Sequence, residues 1–160
     1  MNHIGYACIN MELSQQKPRI YTGRSMIKRT FEQRGVEYAS ELGLNNVKDL
    51  MKIIKWNNEN DFKFFRITSN LFPWASEYRL KSMPDYQKIA DLLNEIGEYV
   101  RLNDMRITSH PGPFNVLTSP NEHVVKGQRS VPHLFFNGGT PFGKLFCTPF
   151  YFTLQHFSCP

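Results

Sequence analysis

Apolar and polar residues change rhythm several times along the first 126 positions, and each change predicts an element. Ile4-Gly-Tyr-Ala-Cys-Ile9 is a short apolar run. It predicts a first strand, apolar enough to be buried on both faces and ending at Asn10. Residues 11–24 are polar and include Pro18 and Gly23, which predicts a long loop. From Val36 to about Asn58 the spacing becomes helical. Val47, Leu50, Met51 and Ile54 recur at i, i+3, i+4 and i+7, while Lys48, Asp49, Lys52 and Lys55 fall off that stripe. Gly43 is expected to weaken this helix or divide it, and Asn57, Asn58 and Asn60 supply its stop. Phe62 to Thr68 is aromatic and β-branched and predicts the second strand. It runs into a loop, 69–77, whose side chains suit the lining of a cleft. Ser82-Met-Pro-Asp85 has the form of a capping box. The helix after it carries Ile89, Leu92, Leu93, Ile96 and Val100 on one face and ends near Asn103-Asp104. Met105 to Ser109 predicts the third strand. A third helix should open near Ser119-Pro120, with serine as cap and proline at its first position, carrying Val124 and Val125.

Strands alternating with helices imply parallel strands joined by right-handed crossovers. The expected fold class is α/β, a partial TIM barrel of about three βα units. A complete barrel takes eight strands and typically about 250 residues, whereas this chain has 160, enough for one domain. Residues 1–126 are read as that domain. Residues 127–160 are different material: they hold no Asp or Glu, although the chain has 14, and they hold seven of its 13 phenylalanines. Either this tail is an aromatic strand-turn segment packed on the sheet, or it is not the natural continuation of the domain, as after a frameshift. The second is the expectation, because the acids and the helical pattern stop just after a helix has been opened.

The formal charge of +5 permits a nucleic-acid partner without demanding one. Lys17, Arg19, Arg24, Lys28, Arg29 and Arg34 set six cations against Glu32. They form either a solvated loop and helix face or a rim that contacts phosphates. Three cysteines, with no Cys-x-x-Cys pair, argue against a disulfide framework or a zinc knot and for a reducing compartment. Cys8 is expected to be a buried thiol. No signal peptide is read at the N-terminus, and no apolar run approaches the roughly 20 residues of a membrane helix. An intracellular location is expected.

The most chemically suggestive stretch is Arg106 to Pro120. His110 stands where the third strand stops. Pro111, Gly112 and Pro113 follow, two fixed φ angles around a permissive residue. An imidazole on a rigid loop at the carboxyl end of a strand is where α/β proteins put chemistry. The plainer alternative is a loop histidine that caps backbone groups.

Several pieces in order are familiar. Gly5-Tyr6 with Asn10, Asn46-Val-Lys-Asp-Leu with Ile54-Lys-Trp-Asn57, Phe65-Arg-Ile with Leu71-Phe-Pro-Trp-Ala-Ser, and Ser109-His-Pro-Gly-Pro-Phe with Ser119-Pro-Asn-Glu122 together resemble the UV-damage endonuclease family over residues 4–126. The resemblance implies a TIM barrel that cuts DNA 5′ to photolesions with a divalent metal cluster, usually manganese, held by His, Asp and Glu at the strand ends. It implies damaged double-stranded DNA as partner, with no membrane and no stable protein partner. Residue by residue, it implies His110 as a metal ligand. It implies a catalytic position for Tyr6 and a DNA-facing position for Asn10. Pro113 and Phe114 fall on the pair that probes the lesion; Phe114 keeps a wedge, while Pro113 lacks the amide often found there. Glu77 occupies a place where the family commonly has a second histidine ligand. A carboxylate also suits manganese, and the alternative is a surface glutamate. The family's further ligands come from later strands and have no counterpart here, so the chain by itself is expected to be inactive. Two other readings stand beside this one: another TIM-barrel metal enzyme of sugar-isomerase type, and a non-catalytic fragment that needs a complementing half.

Overall fold

The computed structural model describes residues 4–109. The expected third helix, the loop holding His110, Pro113 and Phe114, and the tail lie outside the described residues. The elements run β1 (Gly5–Ala7), α1 (Met11–Gln15), α2 (Lys28–Glu59), β2 (Phe64–Ile67), a 3₁₀ turn (Leu80–Ser82), α3 (Tyr86–Leu102) and β3 (Arg106–Ser109). The strands form one sheet in the order β1-β2-β3, and both pairs are parallel. This is the α/β arrangement expected from the alternation of rhythms. Among the described residues no helix is long and apolar enough to cross a membrane.

One face of the sheet carries the core. Tyr6, Phe65 and Ile107 share a row, and Ile67 with Ser109 makes the next. Against them pack Val47, Leu50, Ile53 and Ile54 of α2 and Ile89, Leu93, Ile96 and Val100 of α3, all 1 % exposed or less. Burying each such side chain is worth about 1.5–3 kcal/mol, so these two helical stripes provide the main adhesion of helix to sheet. At the far end, Asn58 of α2 donates to the Tyr99 hydroxyl and to Asn103 Oδ1, fastening the two helix ends together.

Several expectations are corrected. Within α2 a further helical segment runs from Lys28 up to a non-helical Gly35, so the part from Val36 starts where the spacing placed it, and the break falls at Gly35 rather than Gly43. Gly35 has φ 64° and ψ −157°, a region that residues with a Cβ avoid. Gly43 stays helical, and close packing is the reason for a glycine there, since a Cβ would meet the Phe72 ring at 2.9 Å. The stretch 11–24 is not all loop: α1 forms because the Asn10 side chain accepts from the Leu13 N–H at 2.9 Å. The Ser82–Asp85 capping box does not form. Ser82 donates to the Arg79 carbonyl, and Asp85, at the N-cap position, exchanges hydrogen bonds with Ser40 and accepts from Lys88. The first strand is not buried on both faces. Gly5 and Ala7 are exposed, since among the described residues nothing covers that face. Cys8 is half-buried rather than buried, in a left-handed turn (φ 64°) where β1 ends.

Candidate functional site

Parallel pairing puts the carboxyl ends of all three strands on one rim. Cys8 to Asn10 leave β1 there, Thr68 to Asn70 leave β2, and Ser109 ends β3 immediately before His110. Asn10 is almost wholly buried, at 4 % exposure. Its Oδ1 caps α1, and its Nδ2 donates to the Tyr6 hydroxyl at 2.7 Å. That hydroxyl in turn donates to Asn57 Oδ1 at 2.5 Å. The cap fixes which end of the Asn10 amide faces Tyr6, and so fixes the direction of the whole relay. Asn57, at 0 % exposure, is left with an Nδ2 that has no partner among the described residues.

The Tyr6 ring is held edge-on by Phe62 and Phe65, at centroid distances of 5.6 and 5.1 Å, and Phe62 stacks on Trp56. Burial pushes the Tyr6 phenol above its ordinary pKa, and the hydrogen bonds with Asn10 and Asn57 only partly oppose that shift. Tyr6 is therefore a neutral hydroxyl at neutral pH. Beside it lies an open cleft of about 330 Å³ lined by Tyr6, Ile9, Asn10, Met11, Glu12, Trp56 and Phe62. Tyr6 and Asn10 thus meet through a hydrogen bond at the end of β1. In this arrangement the hydroxyl is engaged on both sides, and its direct work is to orient Asn10.

The 71–77 loop is rigidly built elsewhere. Asn46 donates to the Leu71 carbonyl and Trp74 Nε1 to that of Met26, while Phe31 stacks on Trp74 and Tyr78. Glu77 is exposed and accepts from Ser76 at 3.3 Å. Among the described residues no hydrogen bond or ring contact joins it to Tyr6 or Asn10, and no group of three or more His, Cys, Asp or Glu converges as a metal centre. The described residues alone therefore do not fit a metal cluster.

The basic segment divides in two. Arg24 is structural: it reaches Asp49 at 2.6 Å, and its backbone pairs with the Asn46 side chain. Burial would raise the Asp49 pKa, but hydrogen bonds from Lys52, Arg24 and the Tyr21 N–H, with the charge of Arg24, hold it below the usual value. Lys17, Lys28 and Arg29 are exposed, and Arg34 lies over the Tyr38 ring at 3.4 Å. In the sequence Asn57 is a helix stop and the last residue of the Ile54–Asn57 piece of the resemblance, with no role at Tyr6 assigned to it. Its nearness to Tyr6 depends on a contact 51 residues apart that no local pattern announces.

Comparison with known proteins places this architecture. Residues 2–136 match the family described as UV-endonuclease UvdE. A protein of Acanthamoeba polyphaga mimivirus that bears the UV-damage endonuclease name is 38 % identical over 124 residues, which are 77 % of this chain and 37 % of that protein. The UV-damage endonuclease of Schizosaccharomyces pombe is 34 % identical over 122 residues, 76 % of this chain and 20 % of that one. The crystal structure of SacUVDE superposes with a TM-score of 0.65 at 28 % identity, covering 81 % of this chain and 42 % of that chain. This likeness makes the three-stranded unit part of an α/β barrel. The chain spans well under half the length of these relatives. With the match covering most of its residues, the chain belongs to the UV-endonuclease UvdE family.

Proposed function

We propose that this chain carries the first strands of a DNA-repair endonuclease of the UV-damage type, an intracellular hydrolase of the phosphodiester bond 5′ to photolesions in double-stranded DNA. The observation that carries the reading is the family match over residues 2–136. Supporting it is the common rim that parallel pairing gives to the ends of the three strands, which includes Asn10 and leads into His110. In this reading Tyr6 and Asn10 face the DNA strand, and Pro113 and Phe114 probe the lesion. A Tyr6 contribution to catalysis requires its relay to Asn57 to open. His110 and Glu77 are this chain's candidate ligands for a divalent ion of the manganese class, in a site that needs further ligands. The 160 residues alone are therefore proposed to bind damaged DNA without cutting it.

A plasmid-nicking assay on irradiated DNA with added manganese tests this. The expected result is no metal-dependent cutting by this chain. Cutting that His110→Ala abolishes would show that the chain is competent by itself. A second reading, that the chain needs a complementing half even to bind, is favoured by the β1 edge, where Ile4 and Ile9 are 70 % and 52 % exposed. An unpaired strand edge invites association, and sedimentation separates the readings: a monomer that binds DNA opposes this second one.

A further inference from the structure

The sheet face turned away from the helices has its own pattern. Register and alternation put two rows on it: Gly5, Phe64 and Arg106, then Ala7, Arg66 and Thr108 nearer the rim. No residue of the three strands is acidic, so the face carries two guanidinium groups and no carboxylate. Arg106 lies over the Phe64 ring at 5.7 Å. Arg66 is half-buried between two small neighbours in its row, and its guanidinium makes no hydrogen bond or ion pair among the described residues. The other arginine drawn into the fold, Arg24, has Asp49 at 2.6 Å. Arginine does not deprotonate to relieve its burial, so a guanidinium left in this position calls for an anion. Beyond residue 109 the sequence holds one acidic side chain, Glu122.

We propose that Arg66 is a phosphate-contacting residue, binding a DNA backbone phosphate at the carboxyl rim of the sheet. Only Ile67 separates it from the end of β2, one residue or about 3.3 Å of rise. Its long stem carries the charge past that distance. Its neighbours in the row, Ala7 and Thr108, are both smaller than Arg66. A planar guanidinium suits a phosphate in a two-pronged contact. This rests on the DNA-facing reading of the same rim and adds to it the residue that meets the charge of the strand.

The test is fluorescence anisotropy of the full chain with a labelled duplex carrying a single UV photoproduct, titrated from about 50 to 200 mM salt. Arg66→Gln, Arg66→Lys and Lys55→Gln are compared, the last altering an exposed lysine on α2, which covers the other face of the sheet. Circular dichroism checks that each variant is folded. The expected result is that Arg66→Gln weakens binding several-fold and lowers the slope of log K against log salt by about one. Arg66→Lys should keep the slope, and Lys55→Gln should leave both unchanged. Should Arg66→Gln not fold, Arg66→Lys decides by affinity: several-fold weaker binding at an unchanged slope, from loss of the two-pronged contact, supports the assignment, and wild-type affinity overturns it. Wild-type binding with an unaltered slope in Arg66→Gln overturns the role of Arg66 and leaves the DNA-facing reading intact; Arg66 would then be matched to a carboxylate of further barrel strands. Wild-type protein that shows no salt-dependent binding overturns both.

Discussion

Tyr6→Phe removes a single hydroxyl and keeps the ring packed between Phe62 and Phe65. Two hydrogen bonds disappear, one accepted from Asn10 at 2.7 Å and one donated to Asn57 at 2.5 Å. A net contribution of about 1 kcal/mol each gives a destabilisation of about 2 kcal/mol. Asn57 is the larger part of that loss. Its Oδ1 becomes a buried acceptor without a donor, beside an Nδ2 that already lacks a partner. In Asn57→Leu that amide is gone altogether, so the double variant Tyr6→Phe/Asn57→Leu should be more stable than the sum of the singles implies, by about 1 kcal/mol. Replacing both partners of a buried pair by apolar groups is far gentler than orphaning one. Urea unfolding followed by circular dichroism measures the cycle, and a domain of this size should lose about 4–8 °C in Tm with Tyr6→Phe. Additivity of the two substitutions to within about 0.3–0.5 kcal/mol would refute the relay.

Other substitutions probe the same structure. Gly35→Ala forces a Cβ into a backbone region that only glycine enters freely and should destabilise by about 1–3 kcal/mol, read as a lower urea midpoint with unchanged m. Asp49 has its folded pKa held below the unfolded value near about 3.9, so its contribution is complete above that pH and fades as pH falls toward the folded value. Stability measured from about pH 6 to 2 should therefore fall less steeply in Asp49→Asn than in the wild type, the variant being weaker at neutral pH. Tyr6 has a raised phenol pKa, so its contribution is complete below about pH 10 and fades as pH rises through the folded value. Alkaline unfolding should be shallower in Tyr6→Phe, with the share from Tyr78, whose hydroxyl burial also pushes up, remaining.

The parts of this fold that were legible in the sequence are those where one face decides the pattern. The stripes Val47-Leu50-Met51-Ile54 and Ile89-Leu93-Ile96-Val100 are buried as their spacing predicted, Leu92 of the second being only half-buried, and the alternation of rhythms foretold the parallel sheet. What was illegible depends on partners distant in the chain. The exposed face of β1 reads as apolar because Gly5 and Ala7 are small, and nothing local tells a covered row from an open one. Gly43 reads as a helix breaker until Phe72 is seen against it. Ser82 and Asp85 have the spacing of a capping box, but Ser40 competes for Asp85 from 45 residues away. At the rim, the hydrogen bonds that tie Tyr6 to Asn10 and to Asn57 were not legible, although the resemblance names all three residues. Glu77 was legible as a position, while its setting on a loop tied to α2 and the Met26 backbone needed the structure.

The central proposal is that this chain presents a DNA-facing rim that distinguishes damaged from intact duplex. Competition between a duplex with one photoproduct and the same duplex undamaged, at fixed salt, tests it most directly. The account predicts preferential displacement by the lesion-bearing duplex, since unstacking a damaged base is cheaper. Equal displacement by the two duplexes, or binding to neither, would contradict it.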